Sequence, residues 1–304
     1  EFLQSCLHAG KGRKNQIGIM ALVLATGMCR LFGMISNVPT SAANYLVDLE
    51  CSMLEQSRID PNRLQSDGWG IGYYVHDLPC VVKSEKPVHS EAERFRSVAL
   101  AARSRIVVSH VRAASNPRGL PRERLISPEN SQPFHHGRFL FAHNGTINLP
   151  DEVAELLGDY RAMIKGINDS EIYFWFLVKE LAAGRNLSLA LINFEDALRE
   201  LWNKYSSRHP DKRGPYVGLN VIFADGKRLY AYCRYSKEDE RFTSICLRDR
   251  PVFQMCYLPG TPFIVASEAL TRNGGWLPVK NGQLLVAEAR GGAVGHVIED
   301  LWVA

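Results

Sequence analysis

The sequence lacks several features that mark common functional classes. Its apolar stretch near the start, residues 17–25, is too short to span a bilayer as a helix. None of its seven cysteines belongs to a Cys-x-x-Cys pair, which argues against a structural zinc site and against a disulfide framework. No Gly-x-Gly-x-x-Gly motif follows a predicted strand, so a dinucleotide-binding fold is not expected. The net charge of +4 gives no reason to expect nucleic acid or a membrane as a partner.

The composition is otherwise that of an ordinary soluble globular protein. Hydrophobic residues make up 46% of the 304 residues and charged residues 22%, so the chain can form one large domain with a sizeable core. Because the cysteines are scattered and odd in number, we expect most of them to be buried, reduced thiols in a cytoplasmic protein. Cys29 is the exception, because of its position in the chain.

The first 28 residues differ from the rest. A basic cluster at 11–14 precedes the apolar stretch 17–25, an arrangement that resembles a secretory signal peptide. Three interpretations stay open: sequence upstream of a true start at Met28, a propeptide whose removal exposes Cys29, or an export signal. The first is favoured, and the thiol pattern argues against export to an oxidising compartment. We therefore predict an N-terminal extension over residues 1–28 and a single domain over residues 29–304.

Cys29 follows Met28 directly, and this position gives it a possible chemical role. If the chain is processed after Met28, Cys29 carries both a thiol and a free α-amine. The thiol is a nucleophile, and an α-amine with a pKa of about 7.7–8.0 can act as its general base near neutral pH. A nucleophile activated by its own amine is a recognised route to covalent catalysis. If residues 1–28 stay attached, this chemistry fails.

The order of the predicted elements indicates the fold class. Short strands come first, two helices are predicted over residues 170–183 and 188–205, and short strands with turn signals follow over residues 217–304. A further helix is predicted over residues 41–57, and the polar stretch 115–132 is predicted to be a long loop. This order, which lacks β-α-β alternation, predicts an α+β fold with two layers of mainly antiparallel sheet covered by helices.

Four segments after Cys29 have compositions that folding alone does not require. They are Ser109-His110-Val111-Arg112, Asn130-Ser131-Gln132-Pro133-Phe134, Phe141-Ala142-His143-Asn144-Gly145 and Asn168-Asp169-Ser170-Glu171. An arginine at the end of a buried strand is costly to leave unpaired, so Arg112 is expected to meet a carboxylate. The side-chain amide of Asn144 and the backbone N–H of Gly145, at a predicted strand end, can form an oxyanion hole. Plain structural interpretations also exist, since Asn-Gly is a common turn and Asp169 or Ser170 could simply cap a helix.

Together these segments closely resemble the class II glutamine amidotransferases, which are N-terminal nucleophile hydrolases. The resemblance runs from Cys29 to about residue 181, with a weaker similarity at 263–268, and it looks most like the stand-alone branch that lacks a synthase domain. It implies a four-layer αββα sandwich. The motifs that carry it occur in the family's order: Met-Cys-Arg-Leu-Phe-Gly at 28–33, Asp-Gly-Trp-Gly at 67–70, Ser-His-Val-Arg at 109–112, Phe-Ala-His-Asn-Gly at 141–145 and Asp-Ser-Glu at 169–171.

The resemblance implies three catalytic positions. Cys29 resembles the nucleophile, with its own α-amine as the base. Asn144 and the backbone N–H of Gly145 resemble the oxyanion hole. The implied reaction is attack of the Cys29 sulfur on the γ-carbonyl of glutamine or of a γ-glutamyl compound, followed by hydrolysis of the γ-glutamyl thioester. Neither a metal ion nor an organic cofactor is expected.

The resemblance also implies a set of substrate-binding residues. Arg112 resembles the clamp for the α-carboxylate of the substrate, where a bidentate guanidinium fits well. Asp169 resembles the partner of the α-ammonium group, and His110 and His143 are further substrate-binding candidates from the same motifs. Gln132 departs from the family pattern, because many relatives have histidine there, and this departure concerns substrate preference.

The implied functions stay open in several respects. The enzyme could release ammonia from glutamine, with a separate synthase chain as a partner, or it could hydrolyse γ-glutamyl peptides or conjugates. A degenerate, non-catalytic member that binds an amino acid is a third alternative. An oligomer is possible. The predicted ligand in every case is a small molecule, and neither nucleic acid nor a membrane is expected.

Overall fold

The structure is a computed structural model, and it describes residues 28–236 and 243–302. The predicted extension, apart from Met28, lies outside the described residues. The strands are β1 (Arg30–Ser41), β2 (Trp69–Val75), β3 (Leu78–Ser84), β4 (Arg103–Val111), β5 (Phe134–His136), β6 (Phe139–Ile147), β7 (Tyr216–Ala224), β8 (Arg228–Cys233), β9 (Cys256–Leu258), β10 (Phe263–Ala266), β11 (Leu277–Pro278), β12 (Gln283–Arg290) and β13 (Ala293–Asp300).

Two long helices and several short ones accompany these strands. The α-helices are α1 (Met53–Gln56), α2 (Ala92–Ala101), α3 (Arg122–Leu125), α4 (Pro150–Glu155), α5 (Asp169–Ala182) and α6 (Leu187–Tyr205). Short helical turns of other types lie at Asn44–Asp48, Val88–Glu91, Gly158–Met163 and Ser206–Arg208. Within the described ranges, the helices are too short or too polar to span a bilayer.

The strands form two antiparallel sheets. The first sheet has seven strands in the order β11-β9-β10-β1-β4-β2-β3, and the second has six in the order β13-β12-β8-β7-β6-β5. The strand pairings in both sheets are antiparallel. The predicted α+β class with two mainly antiparallel sheets is therefore confirmed.

The side chains of β1 alternate between two apolar cores, as the two-residue period of a strand requires. Leu31 and Ile35 belong to the core between the sheets, where Leu140 and Ala142 of β6 face them. Phe32 and Met34 point the other way, into a core formed with α1 and α2. A third core lies between the second sheet and the pair α5 and α6. The order of layers is therefore helix, sheet, sheet, helix, which is the predicted αββα sandwich.

Helix α5 is buried along most of its length, and its start is fixed by one side chain. The side-chain oxygen of Asn168 accepts a hydrogen bond from the backbone N–H of Ser170 at 2.9 Å, so Asn168 is the N-cap. The alternative in which Asp169 or Ser170 caps the helix is therefore wrong. Because Asn168 caps the helix, the carboxylate of Asp169 in the first turn can make other contacts.

Two sequence-based boundaries differ from the structure. The predicted helix over residues 41–57 is broken into the turn Asn44–Asp48 and helix α1, because Leu49 is extended and Ser52 caps α1. The strand predicted to end before His143 instead continues to Ile147. Asn144 and Gly145 are thus part of the sheet and not of a turn.

One pair of cysteines departs from the expectation of reduced thiols. Cys51 and Cys246 are bonded across a sequence separation of 195 residues. The spacing of the cysteines does not indicate this pair, because neither Cys51 nor Cys246 has another cysteine close to it in the sequence. The free cysteines of the described ranges are Cys29, Cys80, Cys233 and Cys256.

Removing this disulfide should destabilise the protein. A cross-link over so long a loop restricts the unfolded chain, and replacing Cys51 and Cys246 by serine should lower the free energy of unfolding by about 2–4 kcal/mol. Urea unfolding of the double variant measures this loss. The matched control is Cys80→Ser, at a free and half-buried cysteine. Equal stability of the double variant and the control would contradict the expectation.

Candidate active site

Cys29 lies just before β1, with its side chain on the same face as Leu31 and therefore towards the space between the sheets. It is only 7% exposed. Its Sγ donates a hydrogen bond to the carbonyl of Ala113 at 3.3 Å and accepts one from the Ala113 N–H at 3.4 Å. The thiol is therefore held against the segment that follows β4.

The surroundings of Cys29 favour the neutral thiol. Burial raises the pKa of the Cys29 thiol to about 11, and this effect outweighs the hydrogen bond with Ala113 and the positive charge of Arg112, both of which lower it. At neutral pH the thiol is therefore almost fully protonated. A base must remove its proton before the sulfur can attack.

Arg30 supports Cys29 from the opposite face of the first sheet. Its Nη1 donates to the carbonyl of Cys29 at 2.9 Å. The side chain is fully buried, and burial lowers its pKa to about 10, partly offset by the charge of Glu268. The carboxylate of Glu268 in turn accepts hydrogen bonds from the backbone N–H groups of residues 245, 246 and 247, at 2.7–2.8 Å. Cys29 is thus connected, through the hydrogen bond from Arg30 and the charge of Glu268, to the loop that contains Cys246.

Arg112 forms no ion pair with a carboxylate of the described ranges, so the carboxylate partner expected from its burial stays a prediction. Its Nη1 donates to the backbone carbonyls of Asp67 at 3.1 Å and Leu125 at 2.8 Å. The side chain is only 3% exposed, and burial lowers its pKa, while the negative charges of Asp67 and Asp169 oppose that shift. No ion pair joins Arg112 to another described residue. The rest of the guanidinium therefore stays available to an anionic ligand.

Asp169 is the second charged side chain at this place. It is 2% exposed. One carboxylate oxygen accepts the backbone N–H of Ile147, at the end of β6, at 2.7 Å, and the other accepts the hydroxyl of Ser115 at 3.3 Å. Its position in the first turn of α5 also suits a negative charge. No cation forms an ion pair with Asp169 among the described residues.

Arg112 and Asp169 open onto the same cleft. The space within the cleft, including the part that is open to solvent, is about 260 Å³, and loop residues such as Ser115, Asn116 and Ile167 complete its wall. Arg112 brings a positive charge to this cleft and Asp169 brings a negative charge. The cleft therefore suits a small ligand with both an anionic and a cationic group. Ala113, the residue after Arg112, holds the Cys29 thiol.

Asn144 reaches the inter-sheet space from the second sheet. It lies two residues after Ala142 on β6, so its side chain faces the same core layer as Ala142. It is fully buried, yet neither its Oδ1 nor its Nδ2 has a hydrogen-bond partner in the structure. Leaving a buried amide unpaired costs about 1–3 kcal/mol. A protein retains such a group where a ligand or a reaction intermediate can pair with it.

Gly145 is required at its position by the packing. A Cβ there would overlap the backbone carbonyl of Gly218 on the neighbouring strand β7. Any larger residue would push β6 and β7 apart, directly beside Asn144. The absence of a side chain therefore keeps this part of the strand in place.

His110 and His143 lie in different places, and neither lines the cleft that Arg112 and Asp169 share. His110 is fully buried beside the backbone of His143, but no hydrogen bond of acceptable geometry joins them. Burial and the nearby charge of Arg112 move the pKa of His110 well below its usual value, so its ring is neutral. The ring of His143 faces α5, where Nδ1 lies 2.8 Å from the Ser170 hydroxyl and Nε2 lies 3.1 Å from the Gly218 carbonyl.

Asp67 was not among the predicted site residues. Its carboxylate accepts the backbone N–H of Ala114 at 2.7 Å and pairs with Arg122, while its own N–H donates to the carbonyl of Arg112 at 3.1 Å. It therefore fixes the segment that holds both Cys29 and the guanidinium of Arg112. The motif Asp-Gly-Trp-Gly could have indicated this role, but the same residues also predict a turn that leads into a strand.

Comparison with known proteins assigns this architecture to a class. A family model described as class-II glutamine amidotransferases matches residues 28–300. The chain is 32% identical over 209 residues to a gamma-glutamyl-hercynylcysteine sulfoxide hydrolase of Mycolicibacterium smegmatis, an alignment that covers 67% of this chain and 78% of the relative. It is 30% identical over 211 residues to the protein of the same name in Mycobacterium tuberculosis, covering 67% and 76% respectively.

Solved structures agree on the fold. A class-II glutamine aminotransferase domain protein from Silicibacter pomeroyi superposes with a TM-score of 0.58 at 21% identity, covering 90% of this chain and 100% of that one. Glutamine phosphoribosylpyrophosphate amidotransferase from B. subtilis gives the same TM-score at 14% identity, covering 91% of this chain and 50% of that one. At these identities the likeness concerns the fold.

The protein therefore belongs to the class II glutamine amidotransferases, with the fold of the N-terminal nucleophile hydrolases. It is an enzyme of that family, and it matches relatives named as hydrolases over about three quarters of their length. The predicted family and enzymatic character are confirmed.

Proposed function

We propose that the protein hydrolyses the γ-amide bond of a γ-glutamyl compound, with Cys29 as the nucleophile. The observation that carries this proposal is the pair of opposite charges, Arg112 and Asp169, which open onto one cleft next to the segment that holds the thiol. A γ-glutamyl group has an α-carboxylate and an α-ammonium at one end and the reacting carbonyl at the other. The two charges match its free end.

The reaction proceeds through an acyl-enzyme. The α-amine of Cys29 takes the thiol proton, and the sulfur attacks the γ-carbonyl carbon. Asn144 and the N–H of Gly145 donate hydrogen bonds to the oxyanion that forms. The ammonium group of Cys29 then protonates the leaving nitrogen as the C–N bond breaks. Water hydrolyses the thioester, which releases glutamate and regenerates the thiol.

The leaving group distinguishes two versions of this function. Hydrolysis of a γ-glutamyl conjugate is favoured, because the mycobacterial relatives carry that activity in their names and align over about three quarters of their length. The second version is release of ammonia from glutamine for a separate synthase chain, which family membership supports. Turnover of conjugates by the isolated protein favours the first version. Glutaminase activity that appears only with a partner chain favours the second.

This proposal includes removal of residues 1–28, since only then does Cys29 carry a free amine. A cytoplasmic location also remains a prediction. The bond between Cys51 and Cys246 counts against it, because cytosolic thiols are normally kept reduced. Mass analysis of protein alkylated at the moment of cell lysis measures whether these two cysteines are bonded.

The test combines N-terminal sequencing with labelling by the glutamine analogue 6-diazo-5-oxo-L-norleucine. A chain that begins at Cys29 should take one label on that residue and should release glutamate from glutamine or from γ-glutamyl conjugates. A degenerate binding protein would bind these compounds without turnover and would take no label. A chain beginning at Cys29 that neither labels nor turns over would overturn the proposed function.

Replacing Arg112 by alanine should raise KM far more than it lowers kcat. Loss of one member of a buried charge pair costs about 2–5 kcal/mol, which corresponds to a loss in kcat/KM of at least about 30-fold. Steady-state kinetics with a γ-glutamyl anilide measures the change. Arg105→Ala is the matched control, because Arg105 lies on β4, the strand that leads to Arg112, and is exposed.

A substrate without the α-carboxylate sharpens this test. A 4-aminobutyryl anilide should be a poor substrate of the wild type, and Arg112→Ala should lower its turnover no further. If Arg112→Ala impaired both substrates by the same factor, the guanidinium would not be the partner of the carboxylate.

A further inference from the structure

The segment Asn130-Ser131-Gln132 is polar but buried, and the reaction steps above do not use it. The three side chains are 3%, 0% and 2% exposed, respectively. Burial of polar groups is tolerated where each finds hydrogen-bond partners. The partners of this segment lie on three separate parts of the active site.

Gln132 binds the backbone of β6 beside Asn144. Its Oε1 accepts the N–H of His143 at 2.7 Å, and its Nε2 donates to the carbonyl of the same residue at 3.2 Å. One side-chain amide therefore satisfies both backbone groups of the residue that precedes Asn144. This is the pair of hydrogen bonds that a neighbouring strand would otherwise make.

The position of Gln132 explains why a side chain, and not a neighbouring strand, binds the backbone of His143. Strand β5 pairs with β6 in the register Phe134 opposite Phe141, so two more residues of that register would place Gln132 opposite His143. Strand β5 begins only at Phe134, and Pro133 has no N–H to donate. The amide of Gln132 thus replaces the missing strand. By the two-residue alternation of a strand, the N–H of Gly145 faces this same uncovered edge.

The same segment is anchored to the first sheet. The hydroxyl of Ser131 donates to the carbonyl of Ser84, at the end of β3, at 3.2 Å. The backbone carbonyl of Gln132 lies where a Cβ of Gly70 would be, so only glycine on β2 allows this approach. Gln132 therefore fixes β6, in the second sheet, relative to the sheet that carries Cys29.

Asn130 acts on the other end of the cleft. Its Oδ1 accepts the N–H of Ile167 at 2.8 Å, and its carbonyl accepts a hydrogen bond from Nδ2 of Asn168 at 2.8 Å. These contacts hold the loop that precedes Asp169. They do not reach β6, which makes Asn130 a control of similar size, polarity and burial.

We propose that Gln132 is a positioning residue that sets the oxyanion hole against the nucleophile, an inference that rests on the proposed function. Asn144 and Cys29 lie on different sheets, and Gln132 holds their relative position through the backbone of His143. Loss of its two hydrogen bonds should therefore weaken transition-state stabilisation. It should affect the recognition of the γ-glutamyl head group much less, because Arg112 is held by the carbonyls of Asp67 and Leu125, and Asp169 contacts β6 only at Ile147, beyond the residue that Gln132 binds.

The test uses the chain that begins at Cys29 and its variants Gln132→Met, Gln132→Glu and Asn130→Ala. Active sites are first titrated with 6-diazo-5-oxo-L-norleucine, so that kcat is expressed per labelled Cys29 and a loss of folded protein does not count. In Gln132→Met, kcat per site should fall by more than about tenfold with KM changed less than threefold. Gln132→Glu keeps the hydrogen-bond acceptor and loses the donor, and it should show the same fall in kcat with little change in KM. Asn130→Ala should mainly raise KM.

The outcomes separate this inference from the proposed function. An active wild type with an unchanged kcat per site in both Gln132 variants would overturn the positioning role alone. Gln132 variants that raise KM as Asn130→Ala does would likewise overturn only that role. A wild type that neither labels nor turns over would overturn the proposed function, and the role of Gln132 with it.

Discussion

A chain that begins at Cys29 should turn over γ-glutamyl substrates, whereas the same chain with Met28 retained should be slower by at least about a thousandfold. The reason is the high pKa of the thiol, about 11 in its buried site. At pH 7.5 only about one thiol in three thousand would be ionised. A free α-amine can take the proton, whereas the peptide nitrogen that follows Met28 cannot.

The two chain forms can be prepared by proteolytic release from a fusion and compared directly. For the processed form, kcat/KM should rise with pH through the pKa of the α-amine, about 7.7–8.0 for a free terminus. The rise in kcat/KM should not require the much higher pH at which the thiol itself ionises. A chain that retains Met28 and shows full activity would exclude the α-amine as the base.

Replacing Asn144 by alanine should lower kcat by about a hundredfold to a thousandfold with little change in KM, as expected for the loss of one oxyanion donor. The variant should be no less stable than the wild type, because the amide of Asn144 is buried without a partner in the structure. A loss of activity without a loss of stability is the signature of a group held for the transition state.

Asn220 provides the control for this prediction. It lies opposite Asn144 on β7, and its amide donates to the carbonyl of Phe253 at 2.6 Å and accepts the N–H of Arg234 at 2.8 Å. Asn220→Ala should therefore lower stability. Thermal unfolding and kinetics on both variants measure the contrast. A destabilised Asn144→Ala would mean that its amide is structural.

The sequence was sufficient to predict the family and the layer order, because short motifs and the alternation of apolar residues are local properties. The hydrogen-bond partners of Arg112 within the protein could not be predicted in this way. Burial implied a carboxylate, but two backbone carbonyls satisfy part of the guanidinium instead. Local patterns do not reveal which carbonyls a loop brings near a strand end.

Other features depend on contacts between distant parts of the chain. The bond between Cys51 and Cys246 joins residues 195 positions apart. The motif containing His143 predicted a substrate contact, but strand alternation turns its ring towards α5, away from the face that Asn144 occupies. The role of Asn130-Ser131-Gln132 also required the structure, since its partners come from β3, β6 and the loop before α5.

The place of β1 in the first sheet has a consequence for the order in which the enzyme becomes complete. The strand that follows Cys29 is an inner strand, flanked by β4 and by β10, and Phe32 pairs with Ala266. Loop-closure entropy makes such distant pairings costly to form early. During synthesis from the N-terminus, Cys29 and β1 are made before the rest of the domain, but β1 gains its second neighbour only after residue 266 has left the ribosome. The first residues of the domain are therefore among the last to reach their final surroundings.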